Sequence, residues 1–106
     1  KIVEDFDLKK SKKGIRVKNI SSSQIKPAAP GNVVYAGSGL RGYGNLVIIK
    51  HSDNMLSAYA NNKEIIVEVG QSVSQNDAIS RLDKNQIIYF EIRRDGSPVD
   101  PLRYLK

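Results

Sequence analysis

Apolar residues recur along this chain with a period of two, in short runs bounded by turn-forming residues. In EIIVEVG, Ile65, Val67 and Val69 alternate with Ile66 and Glu68, the pattern of a strand with one face buried. Similar runs are GIRVKNI, GNVVYAG, GNLVIIKH, LSAYAN, AISRL and QIIYFEIR, giving seven predicted strands and no amphipathic helix. The intervening segments PAAPG, GSGLRGYG, SDN, NNK and RDGSP are rich in residues that favour turns. Together they predict an all-β fold, an antiparallel sandwich or barrel-like core. Asp95-Gly96 suits a tight hairpin whose residues need positive φ. Pro98 and Pro101 then predict an irregular tail that packs Val99, Leu102 and Leu105 on the sheet.

The stretch IIYFEIRRDG, residues 87–96, carries the most specific pattern. Ile87, Tyr89, Glu91 and Arg93 fall on one face, and Ile88, Phe90 and Ile92 on the other, the better core candidate. The chain has 106 residues, enough for one domain with a real core. No run approaches the ~18 apolar residues of a membrane-crossing helix; none is longer than Leu46 to Ile49. The chain starts at Lys1 without a signal-peptide pattern, so it reads as a piece of a longer precursor.

Net charge is +6, and seven of the seventeen cationic residues lie between Lys1 and Lys18. That run could attract an anionic polymer or an acidic protein, or serve solubility alone. Nucleic acid is disfavoured, because the five tyrosines and two phenylalanines are not interleaved with the basic run as stacking readers require. With no cysteine, disulfide and thiolate chemistry are excluded.

Catalytic constellations are scarce. GSGLRG, residues 37–42, fits GxGxxG letter for letter, yet a strand follows it, whereas a dinucleotide site needs a helix N-terminus there. His51 is the single histidine, fewer than a zinc site of His, Cys and carboxylates usually needs. At a strand end it is read as a hydrogen-bonded structural residue. Ser21, Ser22 and Ser23 lie in a polar loop, and Glu4 and Asp5 read as solvated terminal charges.

The order of segments resembles the LytM-domain, or lysostaphin-type, zinc metallopeptidases, and in particular their degenerate members of the EnvC and NlpD kind. The matching pieces are KGIRV (13–17), GNVVYAGSGLRGYGNLVIIKH (31–51), LSAYANN (56–62), VEVGQSV (67–73) and YFEIRRDGSPVDPLRYL (89–105). Active members bind zinc through an HxxxD motif and the second histidine of a downstream HxH. Here the HxxxD positions hold Lys12 and Arg16, the HxH positions hold Ile87 and Tyr89, and the histidine usual after YA is Asn61. Two cations stand where ligands would be, so metal-dependent hydrolysis is not expected and no cofactor is implied.

The resemblance implies one degenerate LytM domain over residues 1–106, cut from an exported protein of the Gram-negative periplasm. It implies a non-catalytic activator of N-acetylmuramoyl-L-alanine amidases, the enzymes that split septal peptidoglycan during cell division. Its implied partners are such an amidase, peptidoglycan and a membrane-bound division regulator. The former active-site groove becomes a protein-binding surface, lined by Lys13, Arg16, Tyr43, Tyr59, Asn61, Ile87, Tyr89 and Arg93. Tyr59 is included because it lies two residues before Asn61 on one strand. The alternative function is a passive peptidoglycan-binding module.

Overall fold

A computed structural model describes residues 2–18 and 24–104. Among the described residues the regular structure is eleven strands and two 3-10 turns. The strands are β1 (Ile2–Glu4), β2 (Ile15–Lys18), β3 (Gln24–Ile25), β4 (Gly31–Gly37), β5 (Asn45–Lys50), β6 (Met55–Asn62), β7 (Glu64–Ile65), β8 (Ser72–Val73), β9 (Ser80–Arg81), β10 (Ile87–Arg94) and β11 (Ser97–Val99). The large sheet runs β1-β2-β10-β6-β5-β4-β8, with β11 paired to the far end of β10, and β3-β9-β7 form a small second sheet. Every pairing is antiparallel. The all-β antiparallel reading therefore holds. Each of the seven predicted runs contains one strand, and β1, β3, β8 and β11 are additions of two or three residues.

Register explains the core. Phe90 lies opposite Ile15 on one side and Tyr59 on the other, and Tyr59 lies opposite Val47. Directly paired residues share a face, so these four meet on one surface, where Val33, Ile49 and Ile92 join them. Ile79, Val67 and Val73 complete the cluster, and Ile25 and Ile65 of the small sheet pack against it. Ile88, Phe90 and Ile92 are buried as their alternation predicts. Fully burying side chains of this size contributes about 1.5–3 kcal/mol each, which makes this face the source of most of the fold's stability.

The β10–β11 hairpin pairs Arg94 with Ser97 across Asp95 (φ 50°) and Gly96 (φ 83°), so Asp-Gly supplies the left-handed pair that the turn requires. The tail differs from expectation. Val99 packs on the core, but Leu102 is exposed and Pro101 is the buried residue of a 3-10 turn capped by the Asp100 carboxylate. Leu105 lies outside the described residues, as do Ser21, Ser22 and Ser23. In EIIVEVG only Glu64–Ile65 is strand, and Val69 is exposed.

His51 anchors a polar chain that runs from the surface into the core. Its Nδ1 lies 2.7 Å from the Pro30 carbonyl, and its Nε2 lies 2.7 Å from Ser57 Oγ. Ser57 Oγ is 2.8 Å from the Tyr59 hydroxyl, which accepts the Ala28 N–H at 2.9 Å. A carbonyl only accepts, so Nδ1 donates to it, Nε2 of a neutral ring accepts from Ser57, and Ser57 accepts from Tyr59. Each group is satisfied, and His51 has the structural role read from its position.

Candidate functional site

The opposite face of the large sheet carries the groove. Along β10, Tyr89, Glu91 and Arg93 point to it, opposite Ala60, Ala58 and Leu56 of β6. Ala58 is in turn opposite Ile48 of β5. The glycine-rich loop between β4 and β5 closes one side. Two adjoining recesses result, and Tyr43 lines both.

The first is polar, about 340 Å³, and gathers Lys12, Lys13, Arg16, Arg41, Asn61 and Tyr89 with Glu4 at its edge. The Arg16 guanidinium carbon lies 5.3 Å from the centre of the Tyr89 ring, within range of a cation–π attraction. Tyr43 meets Tyr89 at 6.2 Å between ring centres, tilted by 49°. Gly14 makes room for this ring. A Cβ there would sit 2.8 Å from Tyr89 Cζ and 2.4 Å from the Phe90 carbonyl oxygen.

Lys12 Nζ and Arg16 Nε both reach the Glu4 carboxylate, at 3.2 and 3.4 Å. The pairs are partly exposed, and such pairs contribute about 0–1 kcal/mol each. They orient the two cations more than they hold the fold. The Tyr89 hydroxyl is pushed up to about 12, first by burial and then by the charge of Glu91 and by Tyr43, against a smaller opposing pull from Arg93 and Arg16. It is therefore a neutral phenol at physiological pH.

The second recess is apolar, about 180 Å³, walled by Leu40, Leu46, Ile48, Leu56 and Ala58 over Glu91 and Arg93. Glu91 is 3% exposed and receives an Arg93 N–H at 2.8 Å. A carboxylate taken out of water needs such a partner, so Arg93 is part of the groove floor as well as its rim.

Of the predicted groove residues, Lys13, Arg16, Tyr43, Asn61 and Tyr89 come together in the polar recess, and Arg93 lines the apolar one. Two do not. Ile87 lies opposite Lys18 at the start of β10, exposed and lining neither recess. Tyr59 is 3% exposed on the core face, 5.2 Å from the Phe90 ring. The reason is a bulge. Asn45 pairs with Asn62, and Val47 with Tyr59, so three steps on β6 oppose two on β5, and Asn61 takes φ 66°. The extra residue breaks the alternation, and Tyr59 and Asn61 end on opposite faces.

Sequence reading also passed over Glu4, Arg41, Leu40 and the apolar recess. The uninterrupted run LVII in β5 was a usable signal, because a strand apolar at every position is covered on both faces. No local pattern marks Glu4, whose partners lie eight and twelve residues away.

Zinc does not fit these residues. The polar recess offers Lys12, Arg16 and Tyr89, two cations and a neutral phenol, and the nearby carboxylate of Glu4 is shared between the cations. Among the described residues no group of three or more His, Cys, Asp or Glu side chains could hold a metal ion.

An antiparallel sheet with a groove across one face, and LytM motif blocks in family order, define a lysostaphin-type domain. The chain belongs to peptidase family M23, whose model matches residues 10–101. It is 43% identical over 110 residues to the murein hydrolase activator NlpD of Escherichia coli, spanning 99% of this chain and 29% of that protein. It is 46% identical over 97 residues to the lipoprotein NlpD/LppB homolog of Pseudomonas aeruginosa, spanning 88% of this chain and 33% of that one. The chain thus spans about a third of the length of these relatives. Among solved structures, a chain of the SpoIIQ–SpoIIIAH pore-forming complex superposes with a TM-score of 0.76 at 29% identity, covering 90% of this chain and 65% of that one. Csd3 of Helicobacter pylori superposes with a TM-score of 0.84 at 22% identity, covering 100% of this chain and 31% of that one, a likeness of fold alone.

Proposed function

We propose that this chain is the non-catalytic LytM domain of a murein hydrolase activator, and that it switches on N-acetylmuramoyl-L-alanine amidases by docking them in its groove. The observation that carries the reading is the polar recess. It keeps a groove where active relatives hold zinc, yet presents Lys12, Arg16 and Tyr89, which suit protein contact and not hydrolysis. Tyrosine and arginine are enriched where binding energy concentrates, because each offers rigid area with a polar end. The NlpD names of its relatives support activation of a hydrolase; that the hydrolase is an amidase acting on septal peptidoglycan is our narrower assignment.

The domain belongs to a longer exported protein and works in the periplasm. The lipoprotein names of relatives in Gram-negative bacteria support an envelope location. A membrane-bound division regulator is the partner proposed to control access to the groove.

The test mixes the domain with purified amidase and dye-labelled peptidoglycan. Release well above that of amidase alone is expected, and no release from the domain alone. A second reading, passive retention on peptidoglycan, is favoured by the excess of cations at the recess. Pull-down with purified sacculi separates the two, because an activator that binds only its enzyme stays in the supernatant.

A further inference from the structure

The docking reading leaves open what the groove recognises, and the charges of its two recesses narrow the answer. Four cations line the polar recess against the single carboxylate of Glu4. Glu4 pairs with Lys12 and Arg16, while Lys13 and Arg41 are exposed on the same rim. A second carboxylate entering here would meet uncompensated positive charge.

Glu4 itself is lightly held. It ends a three-residue edge strand whose pairing to β2 shifts register between Ile2 and Glu4, and Ile2 and Val3 beside it are 40% and 46% exposed. Its ion pairs are partly exposed, and pairs of that kind hold weakly. Exchanging it for another carboxylate keeps Lys12 and Arg16 compensated and lets the two remaining cations contribute.

The neighbouring recess sets the second requirement. Its volume of about 180 Å³ is close to that of a cavity of about 150 Å³ able to hold benzene, the space for one Leu, Ile or Phe side chain. Tyr89 borders the polar recess and Glu91 floors the apolar one, two residues apart on one strand, or about 7 Å. A carboxylate and an apolar side chain at that separation belong to one short protein segment.

We propose that the polar recess is a carboxylate receptor, that Glu4 occupies it in the free domain, and that a docking protein displaces Glu4 with an acidic side chain while seating a neighbouring bulky apolar side chain under Leu40. The inference rests on the reading that the groove binds a protein partner. Of the two sources of carboxylate, an acidic side chain is favoured over a peptidoglycan stem peptide because the apolar recess adjoins the charged one.

The test is an NMR titration of the labelled domain with the capped tripeptide acetyl-Leu-Ala-Glu-amide and its Gln counterpart. The Glu peptide is expected to shift the Arg16 side-chain resonance together with the methyl groups of Leu40 and Ile48. The Gln peptide should bind about 5-fold more weakly, the equivalent of one exposed charge pair. Added salt should weaken the Glu peptide and leave the Gln peptide unchanged. Glu4→Gln should tighten the Glu peptide, and Arg41→Gln, an exposed loop substitution, should weaken it; thermal melts confirm that both variants fold. Equal binding of the two peptides, or no gain in Glu4→Gln, overturns the proposal. Tighter binding of a purified stem peptide at the same resonances overturns the protein source. These readouts contain no hydrolase, so a failed activation assay sinks the docking reading separately.

Discussion

Tyr59 and Tyr89 sit on neighbouring strands, one register step apart, and do opposite work. Tyr59 is sealed in the core, its ring on Phe90 and its hydroxyl inside the chain that ends at His51. Tyr89 lies on the other face, between Arg16 and Tyr43, half in water. The same side chain thus serves packing on one side of a sheet and, in the proposed function, recognition on the other. What separates them is the face to which each strand's alternation assigns it. Residue type alone does not mark a site; the face does.

Substitutions that respect this division should separate stability from activation. Tyr59→Phe should cost most, about 1–3 kcal/mol in denaturant melts, because it leaves the part-buried Ala28 N–H and the buried Ser57 hydroxyl short of a partner. A loss below the error of the melt would mean that this chain is slack. Arg93→Ala comes next, at about 1–2 kcal/mol, less than for a fully buried pair because the Arg93 side chain is 34% exposed. Adding Glu91→Gln should recover part of the loss, since no unpaired carboxylate then remains in the floor. Sequence alternation places Arg93 purely on the contact surface; its pairing with Glu91 makes it structural as well.

Tyr89→Ala should lower stability by no more than about 1 kcal/mol, as expected away from the core, while weakening activation strongly. Collapse of the fold instead would move Tyr89 to the core side of the comparison. The smallest effect is in titration. The Tyr89 hydroxyl has a folded value raised from 10.0 to about 12, so its preference for the neutral phenol supports the fold fully below pH 10. That support fades as pH rises through about 12. In ultraviolet titration, Tyr89→Phe should therefore remove an absorbance step near pH 12; loss of a step near 10 would contradict the placement of the ring.

The large features were legible because period-two alternation is a local signal. Runs of four or more residues marked the main strands, Asp95-Gly96 marked its hairpin, and the faces of β10 followed from counting. β3 and β8 each offer a single apolar residue among polar neighbours, so no period could show there. Alternation failed at Asn61, where a left-handed residue shifts the count by one. A bulge of this kind leaves only a weak trace in sequence, here an Asn-Asn pair. Glu4 was invisible for a different reason, since its value comes from long-range pairing that no spacing reveals. The motif blocks located the groove region, and the structure supplied its division into charged and apolar halves.

Docking through the groove face is the central proposal. Its most direct measurement compares amidase-driven release of labelled peptidoglycan with wild-type domain, with Tyr89→Ala, and with no domain. A clear rise is expected with the wild type, release near the level of amidase alone with Tyr89→Ala, and nothing from the domain without amidase. Wild-type domain that leaves amidase release unchanged, or Tyr89→Ala that stimulates as well as wild type, would contradict it.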